Sequence, residues 1–211
     1  FIGPIIYDEG INHSSFNPIL MPNYTTIYYV YPSPIESPFY GNQTNVINPY
    51  DDLASPYGWH DTNGNSNFEY SITRGNNAWA QEDVQGDSNT GNAPDGISGN
   101  NFLNFNYTYN PNNPRTEINN QNAALTNAFY WANLSHDVSY HYGFDEASGN
   151  FQQNNYGNGG LGNDFVYVHG QSTFSTSLPA LYNPSSEGIS PDIYLFSPGY
   201  LYNDREISLS G

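Results

Sequence analysis

The chain of 211 residues has no cysteine and no lysine; its basic residues are three arginines, Arg74, Arg115 and Arg205. Without thiols there is no disulfide framework and no thiolate metal site. Twenty Asp and Glu stand against those three arginines, for a net charge of −17. Binding to a phosphate backbone needs clustered cations that release counterions. This chain has none to cluster, which excludes a nucleic-acid partner and an anionic membrane surface. Long apolar runs are also missing: stretches such as Ile5 to Tyr7 fall far short of the roughly 20 residues of a membrane span. The sequence does not begin with Met and shows no basic leader region, so Phe1 reads as a mature N-terminus left after processing.

Hydrophobic residues make up only 36% of the chain, and mean hydropathy is −0.65. Low hydropathy alone would fit disorder. The 20 Tyr and 12 Phe argue against it, because tyrosine supplies large buried area with a polar tip. The expectation is a folded, Tyr-faced, Asn- and Gly-rich α+β protein of one domain over residues 25–211, preceded by an extended arm over 1–24. The arm opens with Phe1, Ile2, Gly3, Pro4, Ile5, Ile6 and Tyr7, apolar but broken by Gly and Pro, so no helix forms there.

β-branched and aromatic residues mark 25–32 as a strand, and 67–73 alternates with Phe68, Tyr70 and Ile72 on one face. Residues 83–101 read as a turn-rich loop. Alternation returns at 102–109, placing Phe102, Phe105 or Tyr107 against the core. Residues 116–142 predict one long helix capped by Thr116-Glu117 and ended by Gly143. Its face Leu125, Ala128, Phe129, Ala132, Ser135, Ser139 is small enough for close packing on a sheet, with Trp131 in that core or at its edge. Further strands are expected at 164–168, 171–176 and 193–196, making one central helix on mostly antiparallel strands.

Candidate chemistry is sparse. His13, His60, His136, His141 and His169 are the only histidines. On a helix His136 and His141, five apart, point about 140° from each other and cannot chelate one ion. No nucleophile elbow marks a serine. Asp95-Gly96 and Asp145-Glu146 fall short of an EF-hand ladder, so an adventitious calcium has no assigned place. Gly143, Gly149 and Gly157–Gly162 read as backbone requirements, since a phosphate loop wants a lysine. No catalytic, cofactor or metal residue is therefore assigned. Sequons at Asn12, Asn23, Asn42, Asn106 and Asn133 are glycosylation candidates and, with the acidic charge, point to the extracellular side.

Three long motifs carry a resemblance: ASPYGWHDTNG (Ala54 to Gly64), TRGNNAWAQED (Thr73 to Asp83), and the helix with its exit, Ala124 to Val168. Together they resemble the fungalysin family of secreted zinc metallopeptidases, over about residues 27 to 196. The resemblance implies the β-rich N-terminal lobe of a thermolysin-like enzyme, whose zinc sits in a cleft against a following helical lobe. The family binds zinc through an HExxH helix and a downstream Glu, and no histidine here stands in HExxH. In the family the His136-Asp137 stretch is implied to be architectural, and His60-Asp61 lies in a turn.

Two readings follow. The first is a non-catalytic extracellular structural subunit that self-associates through the Phe1–Tyr7 arm and an exposed sheet edge, with itself as partner and no cofactor. The alternative is the N-terminal part of an active secreted zinc endopeptidase whose HExxH helix lies beyond Gly211. In that case residues near Ser172 to Ser177 would line the substrate cleft.

Overall fold

The computed structural model describes residues 22–35, 38–65, 67–175 and 178–196. The arm residues Phe1, Ile2, Pro4, Ile5, Ile6 and Tyr7, together with Asn12, His13 and Arg205, lie outside this set. Strand β1 (Thr25–Val30) pairs antiparallel with β2 (Thr44–Ile47) and parallel with β5 (Phe102–Phe105), which in turn pairs with β4 (Ile97–Gly99). These strands form one sheet in the order β2-β1-β5-β4. The second sheet has the order β3-β6-β8-β7, from β3 (Ala78–Glu82), β6 (Val166–Ser172), β7 (Ala180–Asn183) and β8 (Asp192–Phe196). The architecture is α+β as expected. Within it the pairing is mixed: β1–β5, β3–β6 and β6–β8 are parallel, and the remaining ladders are antiparallel.

Helix α1 (Ile118–His141) is shared by the two sheets, touching β1 of the first and β3 and β6 of the second. At its start the Glu117 carboxylate accepts from the Asn120 N–H at 3.1 Å, satisfying one orphan donor of the first turn. Its end is a Schellman motif: Gly143 N–H donates to the Tyr140 carbonyl and Phe144 N–H to that of Ser139. Gly143 takes φ +93°, which a side chain would strain.

Alternation served where one face of a strand is buried, as in β1, where Tyr28 and Val30 are sealed while their neighbours are half-buried. It failed elsewhere. Residues 67–73 are not a strand but a string of single attachments, with one isolated bridge at Ile72 and Asp95. There the Glu69 carboxylate accepts from Thr62 N–H at 2.6 Å, and Glu69 N–H turns to the His60 carbonyl, so local capping outcompetes ladder pairing. β3 was invisible to alternation because both its faces are covered, Ala78 and Ala80 by the core and Gln81 on the opposite side. Of the expected strand at 171–176, Gln171 and Ser172 are the end of β6 and 173–175 form no strand, while residue 176 lies outside the described set. Of the 102–109 run, β5 buries Leu103 and Phe105 and leaves Phe102 half-buried.

The core is aromatic with polar tips. Tyr28, Trp59, Phe105 and Phe129 are all sealed from solvent, and Tyr28 stacks on Phe105 at 5.3 Å and 3°. Phe129→Ala is expected to cost about 3–5 kcal/mol, whereas Tyr142→Ala at a residue 89% exposed should stay within about 0.5 kcal/mol. Urea unfolding of the two variants checks the phase of α1.

Candidate functional site

The small-residue face of α1 does not all pack against a sheet. Leu125 and Phe129 are buried, but Ala128, Ala132, Ser135 and Ser139 form one wall of a cavity of about 610 Å³. The opposite wall is the apolar face of β6 and β8: Val166, Val168, Ile193 and Leu195. Alternation explains that wall, since residues two apart on a strand share a face. Trp131 lies at the edge of this cavity, half-buried, with its indole N–H donating to the Tyr31 carbonyl at 3.0 Å. A trough of this size between a helix and a sheet is a groove, because packed interiors hold few voids larger than a water molecule.

His136 reaches the groove from α1. Its Nδ1 lies 3.0 Å from Asp137 Oδ1 and its Nε2 2.8 Å from Gln152 Oε1, so both ring nitrogens are occupied. Asp137 points the other way, into the core, and is 3% exposed. Its carboxylate accepts from Ser55 Oγ at 2.7 Å, Trp59 Nε1 at 2.9 Å and the Asp51 N–H at 3.0 Å. The pair is architectural: Asp137 holds the 51–59 segment on the helix.

His60 is fully buried, with ring contacts to Phe105 and Phe129. Nε2 lies 2.7 Å from Tyr28 Oη and Nδ1 2.9 Å from the Arg74 carbonyl. A carbonyl only accepts, so Nδ1 carries the proton and the neutral ring accepts from Tyr28 through Nε2. Burial lowers its pKa to about 4. Asp61 moves the opposite way, pushed up to about 6 by desolvation and by its neighbour Glu69, although it accepts from the Asn63 and Gly64 N–H groups. His169 pairs with Asp192 at 2.9 Å on the far face of the second sheet, and His141 with Asp51 at the surface.

A tetrahedral zinc site needs three converging protein donors. Among the described residues no three His, Asp or Glu side chains could hold a metal ion. The four described histidines are dispersed, each engaged by other partners. The described residues do not fit a catalytic zinc. Of the sequons, Asn23, Asn42 and Asn106 are exposed. Asn133 is fully buried on α1 and donates to the Phe129 carbonyl at 2.8 Å, so on the folded chain it is no acceptor for a glycan. The Gly157–Gly162 loop is a backbone feature: at Gly160, φ +62°, a Cβ would stand 2.1 Å from the Glu146 carbonyl oxygen. Residues 176 and 177 of the expected cleft-lining stretch lie outside the described set. Sequence reasoning missed the groove, whose only signal was small residues at helical spacing opposite alternating Val, Ile and Leu.

The chain matches the family described as Fungalysin metallopeptidase (M36) over residues 27–209. It is 36% identical over 170 residues to Extracellular metalloproteinase 2 of Phaeosphaeria nodorum, covering 79% of this chain and 26% of that protein. It is 41% identical over 153 residues to Extracellular metalloproteinase 5 of Trichophyton tonsurans (71% and 24%). It is 42% identical over 154 residues to Probable extracellular metalloproteinase 5 of Trichophyton verrucosum (71% and 23%). The chain thus spans about a quarter of the length of the curated relatives it matches.

Asp137→Ala should cost about 3 kcal/mol or more, because three donors, two of them buried, each lose an acceptor; urea unfolding measures it. The pH dependence has two opposed contributions. His60, with its folded pKa below the unfolded value, contributes stability that is complete above about 6.5 and lost as pH falls towards 4. Asp61, with its folded pKa above the unfolded value, contributes stability that is complete below about 3.8 and lost as pH rises through 6. Asp61→Asn is therefore expected to stabilise the fold at pH 7.5, with the gain vanishing near pH 4. Unfolding midpoints across that range decide it, and a gain independent of pH counts against the assignment.

Proposed function

The chain belongs to the fungalysin metallopeptidase family, corresponding to its N-terminal lobe, and from that premise we propose that it serves as the metal-free lobe of an extracellular metallopeptidase. The observation that carries this reading is the pairing of a family match over 27–209 with the lack of a metal-ligand set among the described residues. The relatives are named extracellular metalloproteinases and are about four times longer than the stretch they share with this chain. The metal centre of such an enzyme would be held by its metal-bearing part, and this lobe contributes a rigid wall. The groove between α1 and β6–β8 offers the seat: Val166, Val168, Ile193 and Leu195 present apolar surface that a helix of the metal-bearing lobe would bury. An extracellular setting agrees with the relatives' names and with the cysteine-free, acidic composition; among the described residues no helix is long and apolar enough to cross a membrane.

The self-assembly reading pairs the Phe1–Tyr7 arm, outside the described residues, with an exposed sheet edge as the seat of a second copy. Intact mass and metal content of the native secreted material separate the two. The expected species is heavier than the 23.5 kDa of these 211 residues and carries about one zinc per chain. A native protein of that lower mass, free of zinc and with no metal-bearing partner co-purifying, would overturn the peptidase-lobe reading.

A further inference from the structure

Arg74 is unusual in a chain of net charge −17. Twenty carboxylates were available to pair with it, yet among the described residues no ion pair reaches its guanidinium. Instead it lies against aromatic rings, its Cζ 4.2 Å from the centroid of Tyr70, 4.3 Å from Trp79 and 5.3 Å from Phe165. Tyr167 extends the surface, 5.6 Å from Trp79 and 5.0 Å from Phe165. The cluster sits on the face of the second sheet opposite the groove, since Ala78 and Ala80 turn inward on either side of Trp79.

Ring faces satisfy the charge of a guanidinium but not its in-plane N–H groups. Arg74 Nε and Trp79 Nε1 are both buried with no hydrogen-bond acceptor. Two orphaned donors on adjoining side chains, one of them charged, are costly to bury unless something accepts from them. A backbone bridge between Arg74 and Trp79 fixes the two residues relative to each other. Arg74, Tyr70, Trp79 and Tyr167 are all half-buried, so the corner adjoins solvent.

We propose that Arg74 and Trp79 form a carboxylate-recognition site, with Tyr70, Phe165 and Tyr167 as its aromatic walls. A planar guanidinium edge matches a carboxylate, and the neighbouring indole N–H adds a second kind of donor. The acidic field of the whole chain opposes small free anions. The ligand class is therefore a carboxylate carried on an apolar or aromatic group, such as the free C-terminus of a peptide, whose apolar part the rings hold. The inference does not rest on the peptidase-lobe reading, because the site is on the other face of the sheet from the groove.

The test uses N-acetyl-phenylalanine, its amide N-acetyl-phenylalaninamide, and acetate, titrated into the full ¹⁵N-labelled chain. The Trp79 indole N–H, assigned through Trp79→Phe, and the Arg74 Nε–H are followed by NMR. N-acetyl-phenylalanine should move both resonances saturably, while the amide and acetate bind about tenfold or more weakly. Arg74→Gln should weaken the acid by about tenfold and leave its affinity no better than the amide's. Should Arg74→Gln disturb the hairpin, Trp79→Phe keeps a ring in place and removes only the second donor, and it too should weaken the acid. Equal affinity for acid and amide, full affinity in either folded variant, or no saturable shift of these two resonances would overturn the proposal.

Discussion

One buried carboxylate organises this lobe. Asp137, near the end of α1, accepts from the Asp51 N–H, the Ser55 hydroxyl and the Trp59 indole. A carboxylate taken out of water is tolerable only when charge-assisted hydrogen bonds replace its hydration. The 51–59 segment supplies them, and that requirement folds the loop onto the helix. Trp59 is thereby carried into the core, and His60 with it. The ring of His60 then lies between the Tyr28 hydroxyl and the Arg74 carbonyl, linking β1 of the first sheet to the turn that precedes β3 of the second.

The same logic runs through the rest of the interior. With only 36% hydrophobic residues, the chain builds its core from amphipathic side chains whose polar ends find partners. Asn127 accepts from the Tyr31 N–H at 2.9 Å, and Gln43 bridges the Tyr29 and Tyr107 carbonyls. Asn120 donates to the Asn110 carbonyl while accepting from its N–H, closing the loop ahead of α1. Such a core is specified by hydrogen-bond geometry as much as by apolar area, because an unmatched buried group costs more than a matched one contributes.

The polar interior leaves α1 free to be asymmetric along its length. Its first half is buried on nearly every side, down to polar residues such as Gln121, Thr126 and Asn127. Further along, the residues facing β6 and β8 are Ala132, Ser135 and Ser139, too short to reach the sheet, and a groove results. The two faces of the second sheet thereby diverge in character. The inner one is aliphatic and open to an apolar partner, while the outer one is aromatic and carries Arg74.

The sequence by itself determined the α+β class, the long helix with both its caps, the strands β1, β5 and β8, and the family. Those features depend on local period, capping chemistry and contiguous motifs such as WHDTNG and the stretch from Ala124 to Val168. The lack of an HExxH pattern was equally legible. Only the tertiary structure decided the rest. β3 carries no alternation because both its faces are covered, and β2 and β7 are short pairings with mostly exposed or half-buried residues and no core face to imprint a pattern. Residues 67–73 alternate perfectly well and still form no strand, because Glu69 caps a neighbouring loop. Asn133 satisfies a sequon but is sealed inside. The groove arises where α1 faces β6 and β8, and the Arg74 corner where the 70–79 segment meets Phe165 and Tyr167, so both depend on sheet order, and a one-dimensional pattern holds no record of the distance between two faces.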